Sequence, residues 1–184
     1  MKYVLNVGGG PSRQLPEKYN GWTQHLLDID PVVQPDICCD ALLLDRQEAG
    51  LYDAVFCSHN LEHFYKHQVP QLLHNFKYIL KDEGFAEIAV PNIQHLMQQL
   101  ASSSLDIDDV WYRVGGLPIT FHDVLYGWNV QMSQGNEYYS HKCGFTPLSL
   151  QKELVTAGFG SVFVMDQGPN ILALAYKQEG VPCP

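Results

Sequence analysis

Leu5-Asn6-Val7-Gly8-Gly9-Gly10, Leu26-Leu27-Asp28 and Asp36-Ile37-Cys38-Cys39-Asp40 are short, largely apolar runs, each closing on glycines or an acid. Glycine there lets the backbone approach a ligand closely, and a carboxylate can accept from ribose hydroxyls. Ligands of open α/β sheets lie at the carboxyl ends of the strands, so these runs predict a nucleoside-shaped site. A dinucleotide fits less well. Gly8 and Gly10 supply the first two glycines of a G-x-G-x-x-G loop, but Arg13 stands where the third belongs. Pro16 and Gly21 then interrupt the stretch where a phosphate-binding helix would start.

A second constellation is His59-Asn60-Leu61-Glu62-His63, which reads H-x-x-E-H, the zinc pattern of one metallopeptidase class, with Glu137 as candidate third ligand and His67 nearby. That chemistry needs a helix presenting both histidines on one face. The motif here follows directly on a strand-like run, so it is read as a chance match and no metal ligand is assigned.

The elements that must position these residues alternate. Tyr52-Asp53-Ala54-Val55-Phe56-Cys57-Ser58 reads as a fourth central strand. Val69, Leu72, Leu73, Phe76, Ile79 and Leu80 then recur at helical spacing, with Pro70 suited to the first turn and Gly84 to the end. A fifth strand is expected over Phe85 to Pro91. Thr146 can cap a helix opening at Pro147 and ending at Gly158, and Ser161 to Asp166 and Ile171 to Tyr176 read as strands whose short link permits only antiparallel pairing. The expected fold is a Rossmann-like, doubly wound, mostly parallel α/β sheet with an antiparallel C-terminal strand. Between strand five and Thr146 lies a partly helical insert, 93–145, rich in aromatic and polar residues, with helix expected around Ile93 to Leu100 and His122 to Tyr126. Long inserts of this kind serve as lids or binding walls.

With 184 residues and 46% hydrophobic content the chain is expected to form one domain, 1–184. The formal charge of −9 argues against a broad nucleic-acid surface or an anionic membrane face. Neither a signal-like segment nor an apolar run of membrane-spanning length is present, so the expected location is cytoplasmic. Cys38, Cys39, Cys57, Cys143 and Cys183 form no C-x-x-C pair and are read as reduced thiols, the first three as small apolar core residues.

Taken in order, these segments resemble the class I S-adenosylmethionine-dependent methyltransferases over nearly the whole chain. Leu5-Asn6-Val7-Gly8-Gly9-Gly10 is similar to the family's glycine loop, Leu27-Asp28-Ile29-Asp30 to its ribose-binding acid, and Asp40-Ala41 to its adenine-contacting pair. Ser58 running into His59-Asn60-Leu61-Glu62-His63 resembles its fourth strand and Leu-Glu-His turn, and Leu80-Lys81-Asp82-Glu83-Gly84-Phe85 the approach to strand five. There are departures. Asn6 replaces a common acid, Pro11-Ser12 replaces the usual small residue and last glycine, and the span from Asp30 to Asp36 is too short for a helical crossover.

The resemblance implies S-adenosylmethionine as cofactor, with Asn6, Gly8, Gly9, Gly10, Asp28, Ile29, Asp40, Ala41, Ser58 and His59 around it. It implies methyl transfer to a small-molecule or sugar-like acceptor. His122 and His141 of the insert are the candidate bases, since histidine titrates near neutrality. A catalytically inactive cofactor-binding or scaffold protein is the alternative, and a zinc hydrolase using His59, Glu62 and His63 a more distant one. Nucleic acid and membrane are not expected partners; self-association is left open.

Overall fold

Residues 1–182 are described by a computed structural model. The strands are Tyr3–Val7 (β1), Thr23–Asp28 (β2), Ile37–Cys38 (β3), Tyr52–Ser58 (β4), Leu80–Pro91 (β5), Val110–Val114 (β6), Leu117–Thr120 (β7), Ser161–Gln167 (β8) and Asn170–Tyr176 (β9). The helices are Val69–Ile79 (α1), Ile93–Ser102 (α2), Phe121–Tyr126 (α3), Asn129–Met132 (α4) and Pro147–Thr156 (α5). Seven strands form one sheet in the order β3-β2-β1-β4-β5-β9-β8, while β6 and β7 make a separate hairpin. Strands β1 to β5 are parallel neighbours, and β9 pairs antiparallel with both β5 and β8. Chain order reverses between β1 and β4, so a crevice opens at their carboxyl ends, beside Gly8 and His59.

Both faces of β1 are buried, against different layers. Leu5 and Val7 point into the main core with Val55, Cys57, Ile88 and Ala173, under α1 (Leu72, Phe76) and α5 (Leu150, Leu154). Each fully buried Leu or Phe of this layer contributes about 1.5–3 kcal/mol. Val4 and Ala54 face the other way and are covered by the irregular segment carrying Leu15, Tyr19 and Trp22. Only a 3-10 turn, Glu17–Tyr19, forms where many α/β folds have their first helix.

That turn is anchored by a buried polar pair. The Tyr19 hydroxyl donates to Glu87 Oε2 at 2.5 Å, and Lys18 Nζ lies 2.7 Å from the same oxygen. Burial, then the Glu87 carboxylate, push the Tyr19 phenol far above its ordinary pKa, so it remains a donor. Tyr19→Phe leaves the buried carboxylate with Lys18 alone and is expected to lower stability by about 1.5–3 kcal/mol, the worth of a hydrogen bond to a charged group. A urea titration checks this: the midpoint falls with an unchanged m value, whereas an unaltered midpoint would show that Lys18 and water suffice.

The shortened crossover between β2 and β3 contains only a 3-10 turn, Pro31–Val33. Arg13, at the third-glycine position, explains how it holds. With φ +50° it donates through Nη1 to Asp36 Oδ2 at 2.9 Å and through Nη2 to the Gln34 carbonyl at 2.6 Å. Asp36 also accepts from the Leu26 amide at 2.7 Å, and these donors hold its carboxyl below its ordinary pKa.

Three sequence expectations need correction. Helix α1 stops at Ile79, not Gly84, because Leu80 turns to extended backbone (φ −72°, ψ 140°) and pairs with Tyr52, starting β5 early. The third strand shrinks to Ile37–Cys38, since Asp40 caps a 3-10 turn over Ala41–Arg46 by accepting from Leu42 N at 2.9 Å. Of the supposed core cysteines only Cys57 is fully buried; Cys38 is exposed and Cys39 half-buried. Cys143 is also free, and Cys183 lies outside the described residues. The C-terminal helix opens as expected, with Thr146 and Ser149 in a reciprocal cap and Pro147 in the first turn. Segment 93–145 adds the β6–β7 hairpin to its helices and closes on a small core of Leu96, Phe121 and Val124. Among the described residues no helix is long and apolar enough to cross a membrane.

Candidate functional site

The carboxyl ends of β1, β2 and β4 converge at Gly8. Its φ of +68° turns the chain away from the sheet, and a Cβ there would lie 2.1 Å from Asn60 Nδ2, so only glycine fits. Asp28, ending β2, accepts from the Gly10 amide at 3.3 Å and the Asp30 amide at 3.0 Å. Each carboxylate oxygen has two acceptor directions, which leaves capacity for a ligand.

Cavities adjoin this point. One, of about 230 Å³, runs between Gly8, Asp28, Ile29, Asp40, Ala41 and the Asn60–Tyr65 turn, with Tyr138 and Lys142 of the insert closing it. A neighbour of about 360 Å³ continues past Gly10, Asp28 and Ile29 to His59, Asn60, His63 and Tyr139. A polar one of about 390 Å³ lies across the glycine loop, lined by Asn6, Gly8, Gly9 and Ser58. A fourth, of about 200 Å³, opens under the insert between His59, Pro91, Tyr112, Asp123, Trp128 and His141.

The expected cofactor residues thus gather around Gly8, but not in one chamber. Asn6 and Ser58 open on the far side of the loop because alternate residues of a strand face opposite ways. Asn6 is buried with both side-chain polar atoms unpartnered, and Asn60 Oδ1 is unpartnered too. Such orphans on either side of Gly8 mark where a polar ligand would be satisfied.

The two candidate bases separate. His122 packs on Tyr126 at 4.9 Å between ring centroids and lines none of these cavities, while its neighbour Asp123 is engaged in the cap of α3. His141 lines the cavity under the insert, held by its Nδ1 to the Val124 carbonyl at 2.9 Å. Burial, aided by His63 and His59 and opposed by Glu62, lowers its pKa.

Glu62, in the Leu-Glu-His turn after β4, is 1% exposed and sits among histidines. His59 Nδ1 stands 3.5 Å from Glu62 Oε1 and His141 Nε2 4.0 Å from it. Burial alone would raise the Glu62 carboxyl, but His59, His63 and His141 together bring it below its ordinary pKa. Burial likewise opposes a charge on His59, yet Glu62 outweighs it and raises the His59 pKa. The H-x-x-E-H segment does not take the metallopeptidase form: His59 has φ +50°, and only a 3-10 turn, Leu61–His63, follows. Asn60 and Tyr138 line these cavities without having been expected around the cofactor, because strand and helix periodicity says nothing of turns and inserts.

No protein-family model and no curated protein matches the sequence. Solved structures do. The chain superposes on an O-methyltransferase family protein from Burkholderia thailandensis with a TM-score of 0.63 and 13% identity, covering 98% of this chain and 52% of that one. A SAM-dependent methyltransferase from Archaeoglobus fulgidus gives a TM-score of 0.61 and 18% identity, over 95% of this chain and 85% of that one. The fold is that of the class I S-adenosylmethionine-dependent methyltransferases. A third structure with this fold is the 1,6-didemethyltoxoflavin-N1-methyltransferase of B. thailandensis, holding 1,6-didemethyltoxoflavin and S-adenosylhomocysteine (TM-score 0.56, 17% identity, 96% of this chain and 71% of that one). The chain spans about half the length of several such neighbours. Around the sheet and its strand-end crevice, the links from β1 to β2 and from β2 to β3 hold only 3-10 turns.

Proposed function

We propose that this protein methylates a small-molecule acceptor with S-adenosylmethionine, binding the donor between Gly8, Asp28 and Asp40 and the acceptor under segment 93–145. The observation that carries this reading is the adjoining set of cavities: His59 borders both the donor-side chamber and the one beneath the insert. The residues fit the cofactor. Asp28 retains acceptor capacity for ribose hydroxyls, and Asp40 uses only Oδ1 in its cap, which leaves Oδ2 for the adenine amine. Asn6 and Asn60 offer unpartnered polar atoms to the amino-acid end.

The bound cofactor supplies an electrophilic methyl group with its own leaving group, so the chain's tasks are alignment, water exclusion and removal of the acceptor's proton. Gly8 and the Asn60–Tyr65 turn fix the donor, while Tyr112, Trp128 and Pro91 wall the acceptor side. His59 is the base in this reading. Its side chain is 48% exposed and faces both cavities, and Glu62 behind Nδ1 stabilises the imidazolium formed when the proton arrives. His141 shapes the wall; His122 takes no part.

Calorimetric titration with S-adenosylhomocysteine is expected to show saturable binding by the folded chain. Methyl transfer to small hydroxyl- or amine-bearing acceptors, followed by mass spectrometry, is then expected to fall about 100-fold in His59→Ala with donor affinity kept, the usual worth of a positioned base. A folded sample that binds neither the donor nor its product would overturn the reading.

A further inference from the structure

Glu62 is a fully buried carboxylate without a well-formed hydrogen bond: neither oxygen has a partner at normal geometry, and the His59 approach of 3.5 Å is at the outer limit. A buried carboxylate needs compensation by a cation or by several donors. The groups around it are those a transition metal uses. One ligand atom each from Glu62, His63 and His141 lies within 4.8 Å of the others.

The two histidines are prepared as ligands. His63 Nδ1 is 3.0 Å from the Ser140 carbonyl and His141 Nδ1 is 2.9 Å from the Val124 carbonyl. A carbonyl oxygen only accepts, so both Nδ1 atoms are the donors, and in the neutral imidazole that tautomer leaves the Nε2 lone pair for a ligand. Metal-ligating histidines are oriented in this way, with the second nitrogen donating to a backbone carbonyl or carboxylate. Two neutral imidazoles and one carboxylate form a familiar set for zinc and for other first-row divalent ions with an open position. Ligand atoms around zinc stand about 3.3 Å apart, as bond lengths near 2.0–2.1 Å at tetrahedral angles require, so side-chain adjustment of about 1 Å brings the set together.

We propose that Glu62, His63 and His141 bind a divalent transition-metal ion of the zinc class in the wall between the donor-side and insert cavities. This set differs from the H-x-x-E-H reading of the sequence. His59 is not required, and the third ligand arrives from the insert, 78 residues beyond His63 in the chain. The backbone makes the same junction, since the Glu62 carbonyl accepts from Lys142 N at 2.8 Å and Cys143 N at 3.2 Å. An ion held there would fasten the insert to the turn after β4, between the cavities bordered by His63 and His141.

The test uses the untagged full chain after chelator treatment, titrated with zinc chloride against a chromophoric competitor. One equivalent is expected to bind, with affinity about 100-fold or more lower in His63→Ala, His141→Ala and Glu62→Gln, a loss at or beyond the top of the range for outer-shell changes. Exposed His74 serves as control: His74→Ala leaves the affinity unchanged. Cobalt(II) added to the wild-type chain provides a readout free of variants that misfold, as intense visible d–d bands report a low-symmetry, four- or five-coordinate site. Zinc binding that survives the triple replacement, or a folded chain with neither zinc binding nor the cobalt spectrum, overturns the proposal and leaves Glu62 balanced by His59 alone. S-adenosylhomocysteine titration of the metal-free chain separates this result from the methyltransferase reading, which needs no metal.

Discussion

Asp28→Ala is expected to reduce S-adenosylhomocysteine affinity by about 100-fold or more. Two hydrogen bonds from ribose hydroxyls to a carboxylate are worth about 1.5–3 kcal/mol each, and about 2.7 kcal/mol corresponds to 100-fold. The substitution also removes the acceptor for the Gly10 and Asp30 amides, at 3.3 and 3.0 Å, so the glycine loop loses its tether. Both effects act in the same direction. Asp28→Asn separates them, because its amide oxygen still accepts from one loop amide while the charge is gone; an intermediate loss is expected. Calorimetry on both variants, with circular dichroism to establish folding, checks this. Wild-type affinity in a folded Asp28→Ala chain would remove the ribose assignment.

Gly8→Ala is expected to cost about 2–5 kcal/mol of stability and to abolish measurable donor binding. Left-handed backbone costs a residue with a Cβ about 1–2 kcal/mol, and displacing a packed neighbour adds about 1–3 kcal/mol. Here the neighbour is Asn60, whose Nδ2 and Cγ would lie 2.1 and 2.5 Å from the new atom. Asn60 itself borders two of the cavities, so relieving the clash displaces a wall of the site. Gly10→Ala is the matched comparison. Gly10 has φ +58° but open space where its Cβ would stand, so strain alone remains and the stability loss stays near 1–2 kcal/mol. Equal losses in the two variants, read from denaturant titrations, would show that contact with Asn60 is immaterial.

What could be read without coordinates follows from local rules. Strand β4 lies where the apolar run Tyr52–Ser58 places it, and α5 starts where Thr146 and Pro147 require, because strand propensity, capping and helix starts are decided within a few residues. The missing crossover helix was likewise visible, since a chain from Asp30 to Asp36 cannot hold one. Boundaries set by partners were not. Leu80 leaves α1 to pair with Tyr52, and that competition exists only once β4 lies alongside.

The succession of strands, the glycine turn at Gly8, Asp28 closing β2 and Asp40 just past β3 are each legible in short segments with their own periodicity. Only packing separates the two candidate histidines. His122 and His141 are alike as sequence, yet packing puts the first beside Tyr126 and the second 4.0 Å from Glu62. It also decided that Arg13, a misfit in the glycine loop, fastens the β2–β3 link through Asp36 and Gln34. A carboxylate and imidazoles from turns 78 residues apart acquire their chemistry from mutual distance and shared burial. No local pattern encodes either quantity.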